Sequence, residues 1–514
     1  MNTNRMRLSF LNSSITTIVQ VITIILRFVT QTIFINTLGA SYLGINGLFT
    51  NIISVLSFAD LGIGAAITYS LYKPIAEGNT VIVNSIMFFF RKAYHIIGVS
   101  VALLGFFVIP FLDYFIKNNN ISHIKLIFLL FLLNVVIGYF FSYNQTLLIA
   151  DQQIYKCSIV QLIFLVVRVL LQITALLVFH NFLLYLCIQI IVTLLTNISI
   201  SILVSKQYPD LNMRKYTKMP ADIYVKIKGN TIGMIGSKFG EIALSASDNI
   251  IMSMFIGLST VGIYSNYVLL VNSISTLLMQ FVGSVSANIG NFAVDVKDKL
   301  RQYQLLEKHL FVNSLITTIA SACLISLLNP FIILWIGNRY ILSSFVVNLI
   351  VLNFVITSLR QTPITFISSY GLFKRIGLKS IIEAAVNVCF SIFLVAKLHM
   401  GVEGVLIGTL ISNITTNLFY EPFVVIKYGI NIKKYKLFIK RYLFSITVAI
   451  FSCLTVELLV SFLNLRGIVG LLVKLSEAVI VSLAFFILFN IKSAEFKFFL
   501  NLFMNVSKIR NQKN

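Results

Sequence analysis

Two short stretches, LGASYLGI (Leu38–Ile45) and IGLSTVGI (Ile256–Ile263), carry the same pattern of glycine, serine and isoleucine. The glycines of the first stretch, Gly39 and Gly44, each lie 218 positions before a glycine of the second. Each stretch follows a long apolar run, between the end of one predicted helix and the start of the next. A chance likeness between two glycine-containing turns is one explanation, and duplication of a larger segment is the other.

The composition is that of an integral membrane protein. Of 514 residues, 58% are hydrophobic and only 11% are charged, and the mean hydropathy is +0.93. These values lie far outside the soluble globular range. The 7 prolines and 26 glycines are too few to mark linkers between soluble domains. We therefore expect one membrane domain throughout.

Fourteen apolar segments are long enough to cross a bilayer, which needs about 20 apolar residues per helix. They predict an all-α polytopic membrane protein. The predicted spans are 9–35, 45–72, 92–116, 124–149, 156–180, 182–205, 229–256, 262–292, 309–336, 341–370, 375–397, 401–426, 440–464 and 467–491.

The distribution of lysine and arginine predicts the orientation of these spans. With alternate connections assigned to opposite sides, one side carries 30 of the 40 basic residues and the other carries 5. Short connections rich in Lys and Arg face the cytoplasm, so both termini are predicted to be cytoplasmic. The net charge of +23 is dispersed over these connections, which argues against a nucleic-acid partner.

The duplication predicts the architecture. Six spans separate the two copies, and because six is even, both halves have the same orientation and are related by an axis along the membrane normal. We expect a six-helix lobe at 1–206, a cytoplasmic linker at 207–228, a second lobe at 229–427, and an appended helix pair with a cytoplasmic tail at 428–514. The substrate route is expected between the lobes.

Four basic residues lie away from the ends of the spans in the two predicted lobes: Arg27, Arg168, Lys238 and Arg360. Charge at the bilayer centre costs about 2.5–3.5 kcal/mol, so such residues usually face a cavity or a partner. We predict that they line a cavity for an anionic substrate, together with Gln172 on the polar stripe of Arg168, since a guanidinium offers bidentate donors to phosphate. Ion pairing within the bundle is the alternative, and for Arg360 so is snorkelling to the interface.

Acidic residues provide candidate counter-charges for these cations. Asp60 on the second span is one candidate for Arg27, and a role in helix packing is equally open for it. Asp248 on the seventh span corresponds under the repeat to a position one turn from Arg27, so the two are predicted at similar depth and able to pair in one conformation. Lys238 has an alternative partner, Glu241, on its own helix.

Three stretches resemble bacterial polysaccharide repeat-unit flippases, the Wzx-type exporters of the multidrug/oligosaccharidyl-lipid/polysaccharide (MOP) superfamily. They are FINTLGASYLGINGLFTNIISVLSFADLGIGAAITYSLYKPIA (Phe34–Ala76), SYNQTLLIADQQIYKCSIV (Ser142–Val160) and DNIIMSMFIGLSTVGIYSNYVLLVNSI (Asp248–Ile274). The likeness covers spans 1–5 and 7–8, whereas the later spans match only in number and polarity. The resemblance implies two six-helix lobes around a cationic cavity, with two extra helices.

The same resemblance implies a function. Such exporters move undecaprenyl-diphosphate-linked oligosaccharides across the bacterial cell membrane, with the lipid tail in the bilayer and a polysaccharide polymerase as a possible partner. It implies no cofactor and leaves open coupling to a Na⁺ or H⁺ gradient. In relatives that flip a peptidoglycan precursor, residues of spans 7 and 11 form a coupling-cation site, which here would be Asp248, Glu383 and Asn387. Flippases for that precursor or for teichoic or teichuronic acid, and a cation-coupled drug exporter, are the alternatives within the superfamily.

Motifs of catalysis and metal binding are absent from the sequence. The five histidines and five cysteines are scattered, without a C-x-x-C, H-E-x-x-H, P-loop or G-x-S-x-G pattern. We therefore expect no catalytic residue, no metal site and no ATP-driven engine. A membrane enzyme that transfers or polymerises the same sugars is the alternative from another class, but the predicted outer loops are too short to favour it.

Overall fold

The chain folds into α-helices, and its described part holds no β-strand. The computed structural model describes residues 3–57, 63–116, 121–211, 246–283, 298–462 and 467–501, with short pieces at 219–221 and 223–225 and single residues at 227, 240, 242, 289, 292, 296 and 465. The predicted all-α class is confirmed. The helices divide into two compact units, residues 1–262 and residues 263–514.

The described part of the first unit is built from long helices. They are α1 (Thr3–Leu38), α2 (Ala40–Leu56), α3 (Ile63–Ala76), α4 (Thr80–Val108), α5 (Ile124–Ala150), α6 (Ile154–Phe179) and α7 (Phe182–Gln207). A 3₁₀ segment, Ile109–Phe115, extends α4, and a further helical piece covers 246–255. Helix α8 (Leu258–Gly283) begins in this unit and continues into the second.

The second unit continues with longer and more broken helices. They are α9 (Lys299–Ile336), α10 (Ser344–Leu359), α11 (Gln361–Ser369), α12 (Phe373–Ile392), α13 (Val402–Ser412), α14 (Tyr420–Val424), α15 (Tyr435–Ser461) and α16 (Gly467–Asn490). Wider π-helical segments at Phe393–Lys397, Asn413–Asn417 and Val425–Ile430 follow α12, α13 and α14.

Polar side chains fix the starts of several helices. The Asn79 side chain accepts a hydrogen bond from the N–H of Ile82 at the start of α4, and Asn181 accepts one from Leu184 at the start of α7. Asp298 caps α9 in the same way. Such caps satisfy N–H groups that have no partner inside the helix, so these starts are specified locally.

Twelve helical segments of the described part are long and apolar enough to cross a membrane. They correspond to twelve of the fourteen predicted spans, and the other two, 45–72 and 229–256, lie partly outside the described residues. Large apolar side chains cover their outer faces, with Phe107 73% exposed and Leu488 69% exposed. Surfaces of this kind require lipid contact, so the chain is a multi-pass membrane protein.

The appended pair of helices, α15 and α16, packs against α9 of the second unit. Arg441 of α15 pairs with Glu307 of α9 at 3.0 Å and also with Glu495, which follows α16. An ion-pair group therefore joins the C-terminal helices to α9 within the second unit. The predicted lobe boundaries stay a prediction, because the linker expected at 207–228 includes residues outside the described part of the chain, among them 212–218.

The starts of α2 and α8 cross with their backbones in contact, within the first unit. A Cβ atom on Gly44 would lie 2.0 Å from the carbonyl oxygen of Leu258, and one on Gly262 would lie 1.9 Å from the carbonyl oxygen of Ala40. Gly262 is the repeat counterpart of Gly44, and Leu258 is that of Ala40. The contact is therefore reciprocal, which supports the 218-residue offset.

Replacing Gly44 or Gly262 by alanine should destabilise the protein, because the added methyl group would meet a backbone carbonyl that cannot rotate away. Overpacking of this kind costs about 1–3 kcal/mol. The measurement is the thermal unfolding midpoint of the purified protein in detergent. Gly138→Ala is the matched control, since its Cβ would meet nothing within 4 Å and alanine is the better helix former. Equal midpoints for Gly44→Ala and Gly138→Ala would contradict the close crossing.

Candidate functional site

A group of buried polar side chains lies in the second unit where α10 to α14 meet, and we refer to it as the charged cluster. It consists of Arg360, Lys379, Glu383, Asn413, Asn417 and Glu421. Each of these residues is at most 9% exposed. Two cations and two carboxylates give the charged cluster a formal charge of zero when all four groups are ionised.

Arg360 lies at a break between α10 and α11. Pro363 lacks the N–H that would otherwise bond to the carbonyl of Leu359. The Asn313 amide of α9 donates to that carbonyl at 3.3 Å instead, and to the carbonyl of Ser358 at 2.9 Å. The sequence thus breaks the helix at one place, and a side chain from another helix satisfies the carbonyl that the proline leaves free.

The Arg360 guanidinium is held from several directions. Its Nε and Nη2 donate to the two carboxylate oxygens of Glu421 at 3.1 and 2.7 Å. This is the bidentate geometry of strong arginine–carboxylate pairs. Nη1 donates to Oδ1 of Asn413 at 2.6 Å and, more weakly, to Oε1 of Glu383 at 3.4 Å.

The Lys379 ammonium has three oxygen neighbours. Nζ donates to Oε2 of Glu383 at 3.0 Å, to Oδ1 of Asn417 at 2.6 Å and to Oε1 of Glu421 at 2.8 Å. An ammonium group carries three donors, so each donor has one acceptor.

The acceptors Asn413, Asn417 and Glu421 follow one another at intervals of four residues. One turn of an α-helix contains 3.6 residues, so side chains four residues apart on a regular helix would turn progressively away from a fixed partner. The π-helical segment Asn413–Asn417 has wider turns and reduces that rotation. Pro422 cannot donate a backbone hydrogen bond, and Tyr420–Val424 is accordingly a separate short helix.

The charged cluster can be buried because its cations are neutralised from within the protein. Removing one partner would leave an uncompensated charge in an apolar interior. Its contacts join α10, α12 and the α13–α14 segment. Among the described residues, no three His, Cys, Asp or Glu side chains are grouped as metal ligands.

The structure brings together two of the predicted site residues, Arg360 and Glu383. Snorkelling of Arg360 to the interface, one alternative for this residue, is wrong, since its side chain is buried and ion-paired. Asn387 lies one turn beyond Glu383 on α12 and donates to Oγ1 of Thr409 at 2.8 Å. The predicted roles of these residues in binding or coupling stay predictions.

Sequence reasoning missed Lys379 and Glu421. In the charge count Lys379 belongs to the cytoplasmic connection 374–379, which overlaps the start of the predicted span 375–397, whereas the structure buries it against Glu383. A signal was available, because residues four apart lie on one helical face and opposite charges there can pair. Glu421 is an acidic residue in an apolar span, and such a residue usually has a partner inside the bundle.

Two other predicted site residues, Arg27 and Arg168, are neighbours in the first unit. Helix α1 packs along α6, and Arg168 lies within electrostatic range of Arg27 and of the buried Tyr185. No acidic side chain of the described residues pairs with either arginine. The two like charges are therefore within electrostatic range of each other, without an ion-pair partner among the described residues.

Gln172, predicted on the polar stripe of Arg168, is buried and donates to the carbonyl of Tyr185 at 3.3 Å. It therefore holds α6 against α7. Gln161, seven residues before Arg168 on the same helix, is exposed and donates to Gln145 of α5 at 3.3 Å. The role of Gln172 toward a substrate stays a prediction.

Two predicted site residues, Asp60 and Lys238, lie outside the described residues, as does Glu241. Asp248 is half-buried in the helical piece 246–255 of the first unit, whereas Glu383 belongs to the second. The predicted coupling set thus draws on both units, and it stays a prediction.

The DQQIYK motif of the family resemblance forms a polar network beyond the ends of α5 and α7. Tyr208 and Gln153 both donate to Oδ2 of Asp151, at 2.5 and 2.6 Å, and Lys156 donates to Gln207 at 2.7 Å. Burial, and then the hydrogen bond to Asp151, raise the pKa of Tyr208 well above its usual range. The hydroxyl therefore stays protonated at neutral pH and remains a donor to the carboxylate.

Comparison with solved structures identifies the fold. A lipid II flippase MurJ in an inward closed conformation matches with a TM-score of 0.66 and 13% identity, over 92% of this chain and 98% of that one. An inward-facing multidrug-resistance MATE-family transporter of the MOP superfamily matches with a TM-score of 0.60 and 14% identity, over 83% and 98%. A Vibrio cholerae MATE transporter matches with a TM-score of 0.55 and 15% identity, over 84% and 99%.

These similar structures are a flippase and transporters, and none of the three is an enzyme by name. The chain therefore has the fold of MOP-superfamily transporters. No protein-family model and no curated protein matches its sequence.

Arg360→Met should lower the thermal unfolding midpoint strongly, because Glu383 and Glu421 would then share a single lysine in a buried site. Breaking a buried ion pair costs about 3–5 kcal/mol. Thermal unfolding in detergent measures the effect. The control Lys73→Met removes the exposed ion pair with Glu77, which is worth roughly 0–0.5 kcal/mol. If both variants melt alike, Arg360 does not stabilise the second unit as described.

Proposed function

We propose that this protein is a flippase that moves a polyprenyl-diphosphate-linked oligosaccharide from the inner to the outer leaflet of a bacterial cell membrane. The observation that carries this proposal is the pair Arg27 and Arg168. These two cations are neighbours within membrane-spanning helices, and no acidic side chain of the described residues neutralises them. A diphosphate headgroup would supply negative charge to this pair through bidentate hydrogen bonds.

The contrast between the two units supports an anionic cargo. The cations of the charged cluster, Arg360 and Lys379, are matched by carboxylates of the protein. Arg27 and Arg168, by contrast, have no carboxylate partner among the described residues. They therefore add unbalanced positive charge to the spans of the first unit. A cationic drug would be repelled by that pair, which disfavours the drug-exporter alternative.

The similarity to a lipid II flippase supports a lipid-linked sugar as the cargo. That similarity extends over 92% of this chain, compared with 83% and 84% for the two MATE transporters. At 13% identity this similarity favours a lipid-linked sugar as the class of cargo and does not identify the sugar itself. A peptidoglycan precursor or a teichoic or teichuronic acid intermediate shares the lipid-phosphate chemistry and is the second candidate.

The proposed transport cycle is alternating access. The arginine pair binds the diphosphate, the lipid tail stays in the bilayer, and a conformational change presents the sugar to the outer side for a polymerase that builds capsule or exopolysaccharide. In this proposal both termini are cytoplasmic, and a Na⁺ or H⁺ gradient biases the cycle through Asp248, Glu383 and Asn387, with Asp60 as a further gating residue.

The proposal is tested with purified protein in vesicles that contain a polyprenyl-diphosphate oligosaccharide with a fluorescent sugar. Accessibility of the sugar to an external quencher reports its movement between leaflets. The double variant Arg27→Gln, Arg168→Gln should slow this movement at least about tenfold, because charged hydrogen bonds are worth about 1.5–3 kcal/mol and 1.4 kcal/mol is a factor of ten.

Lys474→Gln is the matched control, since Lys474 lies inside α16 of the appended helix pair. It should leave the rate unchanged. A double arginine variant that moves the lipid as fast as the Lys474→Gln variant would contradict the proposed headgroup site. Transport of a lipophilic cation, with no movement of the lipid-linked sugar by the unaltered protein, would favour the drug exporter instead.

A further inference from the structure

The Lys379 ammonium occupies a site whose walls consist of oxygen atoms. Its three acceptors are two carboxylate oxygens and one amide oxygen at 2.6–3.0 Å, and Lys379 itself is 9% exposed. Carboxylate and amide oxygens are the ligands that hard metal cations take in proteins. The same three oxygens could therefore hold a small dissolved cation if the ammonium were absent.

We propose that Lys379 is the built-in cation of this oxygen-lined site and keeps dissolved cations out of it. The ammonium is covalently attached, so the site is always occupied at any salt concentration. This inference goes beyond the proposed function and does not depend on it. One consequence is that Glu383 leaves the proposed coupling-cation set, because its carboxylate is matched by a fixed cation of the protein and not by a dissolved one.

The charge balance of the cluster defines what would replace Lys379. Arg360 donates two parallel hydrogen bonds to Glu421, and Oε1 of the same carboxylate also accepts one from Lys379. Without Lys379, one arginine faces two carboxylates, and the cluster has a formal charge of −1. A buried charge of this kind demands a partner, so the vacated site would attract one monovalent cation.

A second observation concerns how the oxygen wall is held in place. Asn417 donates to Oε1 of Glu383 at 2.5 Å and to Oδ1 of Asn413 at 2.8 Å. Its own Oδ1 is therefore directed toward Lys379 by bonds that do not involve the lysine. The wall is prearranged by its neighbours, as a ligand site requires.

The test uses the full chain in detergent and compares Lys379→Met with the unaltered protein. Methionine keeps the length and apolar stem of lysine and removes the charge. Thermal unfolding is followed in NaCl, KCl and choline chloride at equal ionic strength. We expect the unaltered protein to melt at the same temperature in all three salts. In choline, the unfolding midpoint of Lys379→Met should lie below that of the unaltered protein. Saturating Na⁺ or K⁺ should raise the midpoint of the variant by about 3 °C.

Equal melting of Lys379→Met in all three salts would overturn the proposal. So would a Na⁺ or K⁺ effect of the same size in the unaltered protein, because that effect would arise elsewhere. Stabilisation of Lys379→Met by acid alone, without a response to Na⁺ or K⁺, would assign a proton to the vacated site and would also overturn it. Lys73→Met, which removes an exposed lysine, controls for loss of a positive charge as such.

A second variant decides the question if Lys379→Met cannot be purified. The double variant Lys379→Met, Glu383→Gln has one cation and one carboxylate, so its cluster is neutral again. It should fold, show no difference between Na⁺ and choline, and melt higher than Glu383→Gln alone, whose cluster carries one excess positive charge. A double variant that responds to Na⁺ or melts no higher than Glu383→Gln would overturn the proposal.

Discussion

A charge inside the apolar part of a membrane protein costs about 2.5–3.5 kcal/mol unless something neutralises it, and this cost governs the polar interior of both units. In the second unit, Arg360 and Lys379 are neutralised by two glutamates at distances of 2.7–3.4 Å. In the first unit, Arg27 lies near Arg168, and the described residues supply no carboxylate to either. The charged cluster is neutralised from within the protein, whereas the proposed function assigns the arginine pair to an anionic headgroup.

The helix breaks of the second unit are what allow the charged cluster to form. Pro363 opens the backbone beside Arg360, and Asn313 of α9 satisfies the carbonyl that the proline leaves free. The π-helical segment Asn413–Asn417 keeps a row of acceptors on one side of its helix. Each irregularity would weaken an isolated helix. Together they bring charges from several helices into hydrogen-bonding distance. The local breaks in helical geometry thus allow contacts between residues that are far apart in the sequence.

Much of the fold could be predicted because a membrane span requires only a run of apolar residues, and twelve of the fourteen predicted spans have a matching helix in the described part of the chain. Arg360 and Glu383 were predictable as site residues because a charge stands out in such a run. Lys379 was missed, since it lies near the end of a span, where hydropathy cannot distinguish a charge that sets topology from a buried one, and only its spacing of four from Glu383 indicated a pair. Its pairing with Asn417 depends on contacts between helices, which spacing along the chain does not reveal.

The central claim, that this fold moves a lipid whose headgroup is anionic, is tested most directly by changing the headgroup alone. Two lipids with the same polyprenyl tail and the same fluorescent oligosaccharide would be placed in vesicles with the unaltered protein, one linked through diphosphate and the other through an uncharged ether. The account predicts rapid movement of the diphosphate lipid and at least about tenfold slower movement of the ether lipid, since the ether forms no charged hydrogen bond with the arginine pair. Equal rates for the two lipids would contradict it.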